Sequence, residues 1–308
     1  MWFACRRGGS AICTWFRGST LAALACLAAL SACDQQNLDR CNNRSGSFPP
    51  EVVIAGCTAL IEARTLSREE LATVYSNRGK AYDMQSDYAH ARDDYAAVIR
   101  LEPQNAQAYD DRGLAYYNLG DQERALADYE RAIRLNPRLA EAYDNRGTIH
   151  NARHDYAAAV ADHSEAIRLS PRDAIPYNNR GVAYFNQGER ERAIADYDQA
   201  IRVDPRLATA YDNRGVAYAD QGDYARALAD HHRSIRLNPA DPVTFNNRGL
   251  AYYSLRDDRH AITDFSHAIR LNREFADAYA NRARALERQG EHERAAADRA
   301  EADRLSRR

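Results

Sequence analysis

The tripeptide Asn77-Arg78-Gly79 returns every 34 residues. It reappears as Asp111-Arg112-Gly113, Asn145-Arg146-Gly147, Asn179-Arg180-Gly181, Asn213-Arg214-Gly215 and Asn247-Arg248-Gly249, and ends as Asn281-Arg282-Ala283. A period of that length, held without a slip, belongs to a stack of like supersecondary units rather than to a single globular core. One unit of this size cannot bury its apolar side alone, so neighbours must pack on one another. A length prior would divide 308 residues into about two domains; the repeat replaces that prior with one continuous array.

Within the period the spacing of large and small residues is also fixed. One unit carries Tyr75, Gly79, Tyr82, Ala91, Tyr95 and Pro103; the next Tyr109, Gly113, Tyr116, Ala125, Tyr129 and Pro137; another Tyr177, Gly181, Tyr184, Ala193, Tyr197 and Pro205. This pattern resembles the tetratricopeptide repeat, a helix–turn–helix unit, with Tyr75 where that family has tryptophan. The resemblance implies an all-α fold: a tetratricopeptide-repeat solenoid, a right-handed superhelix of antiparallel helix pairs. Its units are 72–105, 106–139, 140–173, 174–207, 208–241, 242–275 and, with a C-terminal cap, 276–308.

Each recurring residue has a mechanical reason. Gly79 and Ala91 are small enough to let two helices approach, and the tyrosines fill space between units. Pro103 lacks a backbone donor and stops the second helix. Acids at 87, 121, 155, 189, 223, 257 and 291 can cap the second helix, and Gly120, Gly188, Gly222 and Gly290 let the chain reverse before them. Arginine at the centre of the tripeptide departs from the family, which usually has leucine there. Among packed residues it needs a partner, and Asp94, Asp128, Asp162, Asp196, Asp230, Asp264 and Asp298 recur in phase. An Arg–Asp ladder is expected, within or between units; the alternative is a row of arginines open to anions.

The two ends differ from the middle. The last unit has Arg299 and Asp303 where apolar residues stand elsewhere, which reads as a polar cap. Stacking end to end into a filament is disfavoured by that charge. At the front, residues 38–71 read as a degenerate unit whose first helix is broken by Ser45-Gly46-Ser47-Phe48-Pro49-Pro50. In the register of the family Cys41 falls where Tyr75 sits and Cys57 where Ala91 sits. Both positions face the interior, which makes a Cys41–Cys57 disulfide plausible; the alternative is two buried free thiols.

Residues 1–32 read as an export leader. Arg6, Arg7 and Arg17 precede an apolar stretch from Leu21 to Leu30 that is shorter than the ~20 residues a membrane span needs. It ends in Leu30-Ser31-Ala32-Cys33, which resembles the lipobox of bacterial lipoproteins. That resemblance implies acylation of Cys33, a linker over 33–50, and a chain anchored to the membrane by lipid and facing the periplasm of the cell envelope. The alternative is an ordinary signal peptide cleaved near Ala32. Asp34 resembles a signal for the inner membrane in enteric relatives of this sorting system. No cysteine occurs within the seven repeats, as suits an exported chain.

Formal charge is −2 overall, and −5 once the leader's three arginines are set aside. A chain so nearly balanced lacks the basic stripe that nucleic acid requires. No phosphate loop, nucleophile elbow or paired-carboxylate constellation is present, so no catalytic residue, metal ligand set or cofactor is assigned. His150, His163 and His231 stand where other units have tyrosine or phenylalanine and are read as pocket fillers. A metal site around His154 and Asp155 is the weaker reading.

In such arrays the first helices line the concave face. The candidate groove residues are Asn77, Asp111, Asn145, Asn179, Asn213, Asn247 and Asn281, with the aromatics Tyr117, Phe185 and Tyr253. Carboxamides can both donate to and accept from an extended backbone. Asp110, Asp144 and Asp212 beside them suit a peptide of basic character; the alternative role for the asparagines is packing and solvation. The expected function is a non-catalytic envelope scaffold that docks a protein or peptide. The competing class is an enzyme or small-ligand sensor with a closed site in the groove.

Overall fold

The computed structural model describes residues 34–43 and 46–307. The leader and Cys33 lie outside the described residues, as do Arg44 and Ser45. Every regular element among the described residues is a helix. A short α1 over 34–42 is followed by α2, Pro50–Ala63. Seven hairpins then follow: α3 Arg68–Met84 with α4 Tyr88–Leu101, α5 Ala106–Asn118 with α6 Gln122–Leu135, α7 Ala140–Ala152 with α8 Tyr156–Leu169, α9 Ile175–Asn186 with α10 Arg190–Val203, α11 Ala208–Asp220 with α12 Tyr224–Leu237, α13 Pro242–Ser254 with α14 Asp258–Leu271, and α15 Ala276–Arg288 with α16 His292–Ser306.

The helices fall into two compact units, dividing between Arg146 and Gly147 inside α7. In the first, α4 packs on both α3 and α5 around Ala72, Val98 and Ala108, with Tyr75, Ile99 and Leu101 against them. In the second, the same arrangement joins α10 to α11 around Ala174, Ala200 and Ala210. Ile99 and Leu101 closing α4, and Ile201 and Val203 closing α10, thus face a neighbour. The arginine between them, such as Arg100, stays exposed near the helix end, where its charge suits the dipole.

The glycine of the tripeptide is fixed by the ring opposite it. A Cβ on Gly79 would lie 2.8 Å from the Tyr95 ring, on Gly181 2.6 Å from Tyr197, and on Gly249 2.6 Å from Phe265. His163 and His231 fill the same place opposite Gly147 and Gly215. The exception explains itself: Ala283 replaces glycine in the unit where Arg299 replaces the ring and turns away to pair with Glu287. Gly249→Ala is expected to destabilise. Overpacking costs about 1–3 kcal/mol, and better helix propensity returns about 1 kcal/mol of it. A urea midpoint at or above that of the wild type would refute the contact.

The acids at the hairpin turns divide by length. Asp87, Asp121, Asp155, Asp223 and Asp257 each accept a hydrogen bond from the backbone N–H three residues on. Glu189 and Glu291 occupy the same place without that bond. Their extra methylene carries the carboxylate past the helix end, to Arg192 and Arg294 respectively. The residue before each acid is left-handed, at φ +81° for Gly120 and +62° for His154.

At the front of the chain Cys41 and Cys57 form a disulfide between α1 and α2, with Cα atoms 4.7 Å apart. It sits in an apolar cluster with Val53, Leu60, Val74 and Ala81. Gly56 lets α1 cross α2 closely: a Cβ there would lie 2.8 Å from Arg40 Cβ and 2.9 Å from the Asn37 carbonyl.

Candidate functional site

The central arginines Arg78, Arg112, Arg180, Arg214, Arg248 and Arg282 are paired inside their own hairpins. Arg180 Nε and one Nη donate to the two oxygens of Asp196 at 2.7 and 2.8 Å. The same two-pronged contact joins Arg78 to Asp94, Arg112 to Asp128, Arg214 to Asp230, Arg248 to Asp264 and Arg282 to Asp298. The aspartates are 5–11% exposed and the arginines 16–21%, so these are largely desolvated, two-bond pairs of the strong kind. In four arginines the remaining nitrogen reaches the preceding hairpin: Arg78 to Thr58, Arg180 to Ser164, Arg214 to Asp198 and Arg282 to Ser266. Tyrosine faces flank the guanidinium, as with Tyr177 and Tyr184 about Arg180 at 6.0 and 5.8 Å. In each of these arginines the two-nitrogen edge is already taken by its own aspartate, which disfavours a row of arginines open to anions.

These contacts set the charges. The hydrogen bond to Asp94 raises the Arg78 pKa, against the opposing effect of burial. Burial raises the Asp94 pKa, and the Arg78 bonds pull it back only in part. For the aspartate burial outweighs pairing, and for the arginine pairing outweighs burial.

The tripeptide asparagines make a second ladder, one that steps between hairpins. In the first unit Asn77 Nδ2 donates to Asn42 Oδ1 at 3.3 Å, and Asn145 Nδ2 to Asp110 Oδ1 at 3.1 Å. In the second, Asn213 donates to Asn178, Asn247 to Asp212 and Asn281 to Asn246, at 2.8–2.9 Å. Each step spans 35 residues. Asp111 instead accepts from Gln107 on its own helix, and Asn179 Oδ1 accepts from Asn178. The acceptor beside the tripeptide was the functional position that sequence reasoning underrated; its signal was a recurring Asp or Asn one place before the motif.

The three aromatics are half-buried. Arginines cover two of them. Arg190 lies 5.3 Å from the Phe185 ring while pairing with Asp220, and Arg288 lies 3.7 Å from the Tyr253 ring while pairing with Asp258. In the second unit the first helices also present Val182, Val216 and Leu250, with Ile175 and Val243 about half exposed.

The first unit is different in charge. Asp83, Asp110 and Asp111 all have raised pKa values, with burial the largest cause each time. Asp110 is pushed up to about 7, helped by Asp111, Glu141 and Asp144, although the Asn145 bond works against it. Asp83 accepts from the Tyr95 hydroxyl at 2.5 Å, and its other oxygen is buried without a partner. Lys80 is the one lysine of the chain, and it stands exposed at this face.

His231 is fully buried, with Nδ1 2.7 Å from Asp212 Oδ1, whose other oxygen holds Asn247. Asp212 thus links the buried His231 ring to Asn247. His154 Nδ1 contacts the Tyr156 hydroxyl at 2.6 Å. Among the described residues no cluster of three or more metal-ligating side chains exists, and no helix is long and apolar enough to cross a membrane. A shallow, open depression at the α11–α12 turn is lined by Gln221, Asp223, Arg226 and Leu255, and its Asp223 and Arg226 are already paired at 2.6 Å.

Profiles described as "TPR repeat" match residues 113–152, 147–188, 183–222 and 215–255, and one described as "Tetratricopeptide repeat" matches residues 246–306. The chain belongs to the tetratricopeptide repeat family, a class of protein-interaction scaffolds that are in general non-catalytic. No curated protein matches it significantly. Among solved structures, a tetratricopeptide repeat protein from Parabacteroides merdae is similar with a TM-score of 0.67 and 17% identity, over 83% of this chain and 99% of that one. The APC/C hetero-tetramer Cut9–Hcn1 is similar with a TM-score of 0.67 and 18% identity, over 81% of this chain. The chain spans only 55% of the length of that matched chain. Pseudomonas aeruginosa pilF is similar with a TM-score of 0.59 and 15% identity, over 67% and 93%. At these identities the likeness is one of fold.

Proposed function

We propose that this chain is a non-catalytic scaffold that docks an extended protein or peptide segment along the first helices of a unit. In this reading it is held in the bacterial cell envelope by lipid on Cys33 and faces the periplasm. One observation carries the docking proposal: in the first unit burial and neighbouring carboxylates, Glu141 among them, raise the pKa values of Asp83, Asp110 and Asp111, with Lys80 acting against this on Asp111. Carboxylates crowded and partly desolvated in this way gain from a cationic side chain brought between them. A segment bearing arginine or lysine is therefore the occupant favoured for that unit. The paired arginines support the reading indirectly, because they hold positive charge inside the hairpins and away from these carboxylates.

The test uses two labelled peptides of equal length, one rich in lysine and arginine and one rich in glutamate, titrated against the full chain. The basic peptide is expected to bind, with affinity falling as salt rises. Asp111→Asn combined with Glu141→Gln is expected to weaken it at least fivefold. Equal affinity for the two peptides, or indifference to the double substitution, would remove these carboxylates as the docking surface. Pull-downs from solubilised envelopes with wild type and with Asn179→Ala/Asn213→Ala would test the carboxamides. Mass spectrometry of the mature N-terminus would test the anchor.

A further inference from the structure

The first hairpin that carries the tripeptide is not complete by itself. Arg78 borrows Thr58 Oγ1 from α2 at 3.0 Å, and Asn77 borrows Asn42 Oδ1 from α1 at 3.3 Å. Asn42 follows Cys41 directly, so the residue that holds Asn77 is next to the sulfur that ties α1 down.

Apart from its close crossing of α2 at Gly56, little else ties it. Of residues 34–42 only Cys41 is buried, and Leu38 is the one further apolar side chain packed on the cluster. By contrast α3 buries Ala72, Val74, Gly79 and Ala81. A helix as short as α1 is marginal in water without tertiary support. The turn that follows it is held by Asn43, whose side chain bonds both the N–H and the carbonyl of Phe48. Those bonds do not reach α1.

We propose that the Cys41–Cys57 bond is a redox-sensitive clamp on α1. Oxidised, it holds Asn42 against Asn77; reduced, α1 detaches while α3 and the hairpins after it remain folded. The chemistry is thiol–disulfide exchange with a dithiol. The dithiol gives two electrons and two protons and becomes a disulfide, and Cys41 and Cys57 become two thiols. Both sulfurs belong to residues at most 1% exposed, so exchange proceeds through the fraction of molecules in which α1 has opened. This inference concerns the front of the chain alone and stands or falls apart from the peptide-docking reading.

Hydrogen exchange of the full-length oxidised chain, before and after equilibration with dithiothreitol, tests it helix by helix. Amides of 34–42 are expected to exchange more than tenfold faster after reduction, and those of Arg68–Met84 to change less than twofold. Protection should return when dithiothreitol is replaced by oxidised glutathione. The side-chain amide resonance of Asn77, assigned with Asn77→Ala, should move on reduction to the position it takes in oxidised Asn42→Ala. Cys41→Ala should match the reduced protein. Unchanged protection of 34–42 on reduction would overturn the proposal, since packing alone would then hold α1. Loss of protection in α3 and α4 together with α1 would also overturn it, because the bond would then staple the whole unit.

Discussion

Arg180→Ala is expected to lower stability by about 3–5 kcal/mol, the cost of leaving a buried partner charge uncompensated. Asp196 is 7% exposed and would lose both of its charge-assisted bonds. Ser164 would lose a donor from the next hairpin, and Tyr177 and Tyr184 the cation between them. The loss should appear as a lower urea midpoint and as faster amide exchange in α9 and α10. A repeat array need not melt in one step, so the exchange data decide. Removing both charges with volume kept, as in Arg180→Met/Asp196→Leu, should recover most of the loss, because no orphaned carboxylate remains. An unmoved curve for Arg180→Ala would show that the pair contributes nothing. Equal damage from single and double variants would assign the effect to packing.

Asp110→Asn is expected to act in the opposite direction, and only above acid pH. The Asp110 carboxyl has its pKa pushed from 3.8 to about 7 in the fold. Below about pH 4 it is protonated in folded and unfolded chain alike, and the substitution should be nearly silent. Between about pH 4 and 7 the unfolded chain ionises and the folded chain resists, so the wild type loses stability as pH rises. Above that the deficit is constant, at about 4 kcal/mol if the whole shift is expressed. Asparagine removes the ionisation and keeps an Oδ1 to accept from Asn145. The protein itself uses that solution elsewhere: Asn178 accepts from Asn213, and Asn246 from Asn281. Chemical denaturation at pH 4, 6 and 8 should show the variant pulling ahead of wild type with pH. A gap that does not change with pH would mean that burial of the ionised form is not what distinguishes the two.

How much could be read beforehand depends on what the period can and cannot encode. Helices, hairpins and the small residues between them follow from spacing, because each is a local consequence of size and backbone freedom. The Arg–Asp pairing follows too, since a charge among packed residues demands its opposite. Its direction does not, because Asp94 is 16 residues from Arg78 and 18 from Arg112, and a repeat treats the two separations alike. The hairpin decides: the facing helix of the same unit comes first. The asparagine steps were harder to see. Their acceptor varies between Asp and Asn, and at Asp111 an acid replaces the donating carboxamide, so identity blurs a position that geometry keeps. The failure of Glu189 and Glu291 as caps turns on one methylene, which a pattern of acids does not register. The leader and Cys33 lie outside the described residues, and what was read there stays a proposal.

The interlocking of neighbours at a stride of 35, laid over a repeat of 34, constrains how such a chain can change length. Removing three residues from one hairpin would put Asn213 opposite the wrong rung and rotate Arg214 away from Asp198. Removing a whole period would leave each survivor facing a residue of the same kind as before. Growth or loss in this lineage is therefore expected to proceed by entire repeats, copied or dropped as modules, with point insertions confined to the front segment ahead of α3.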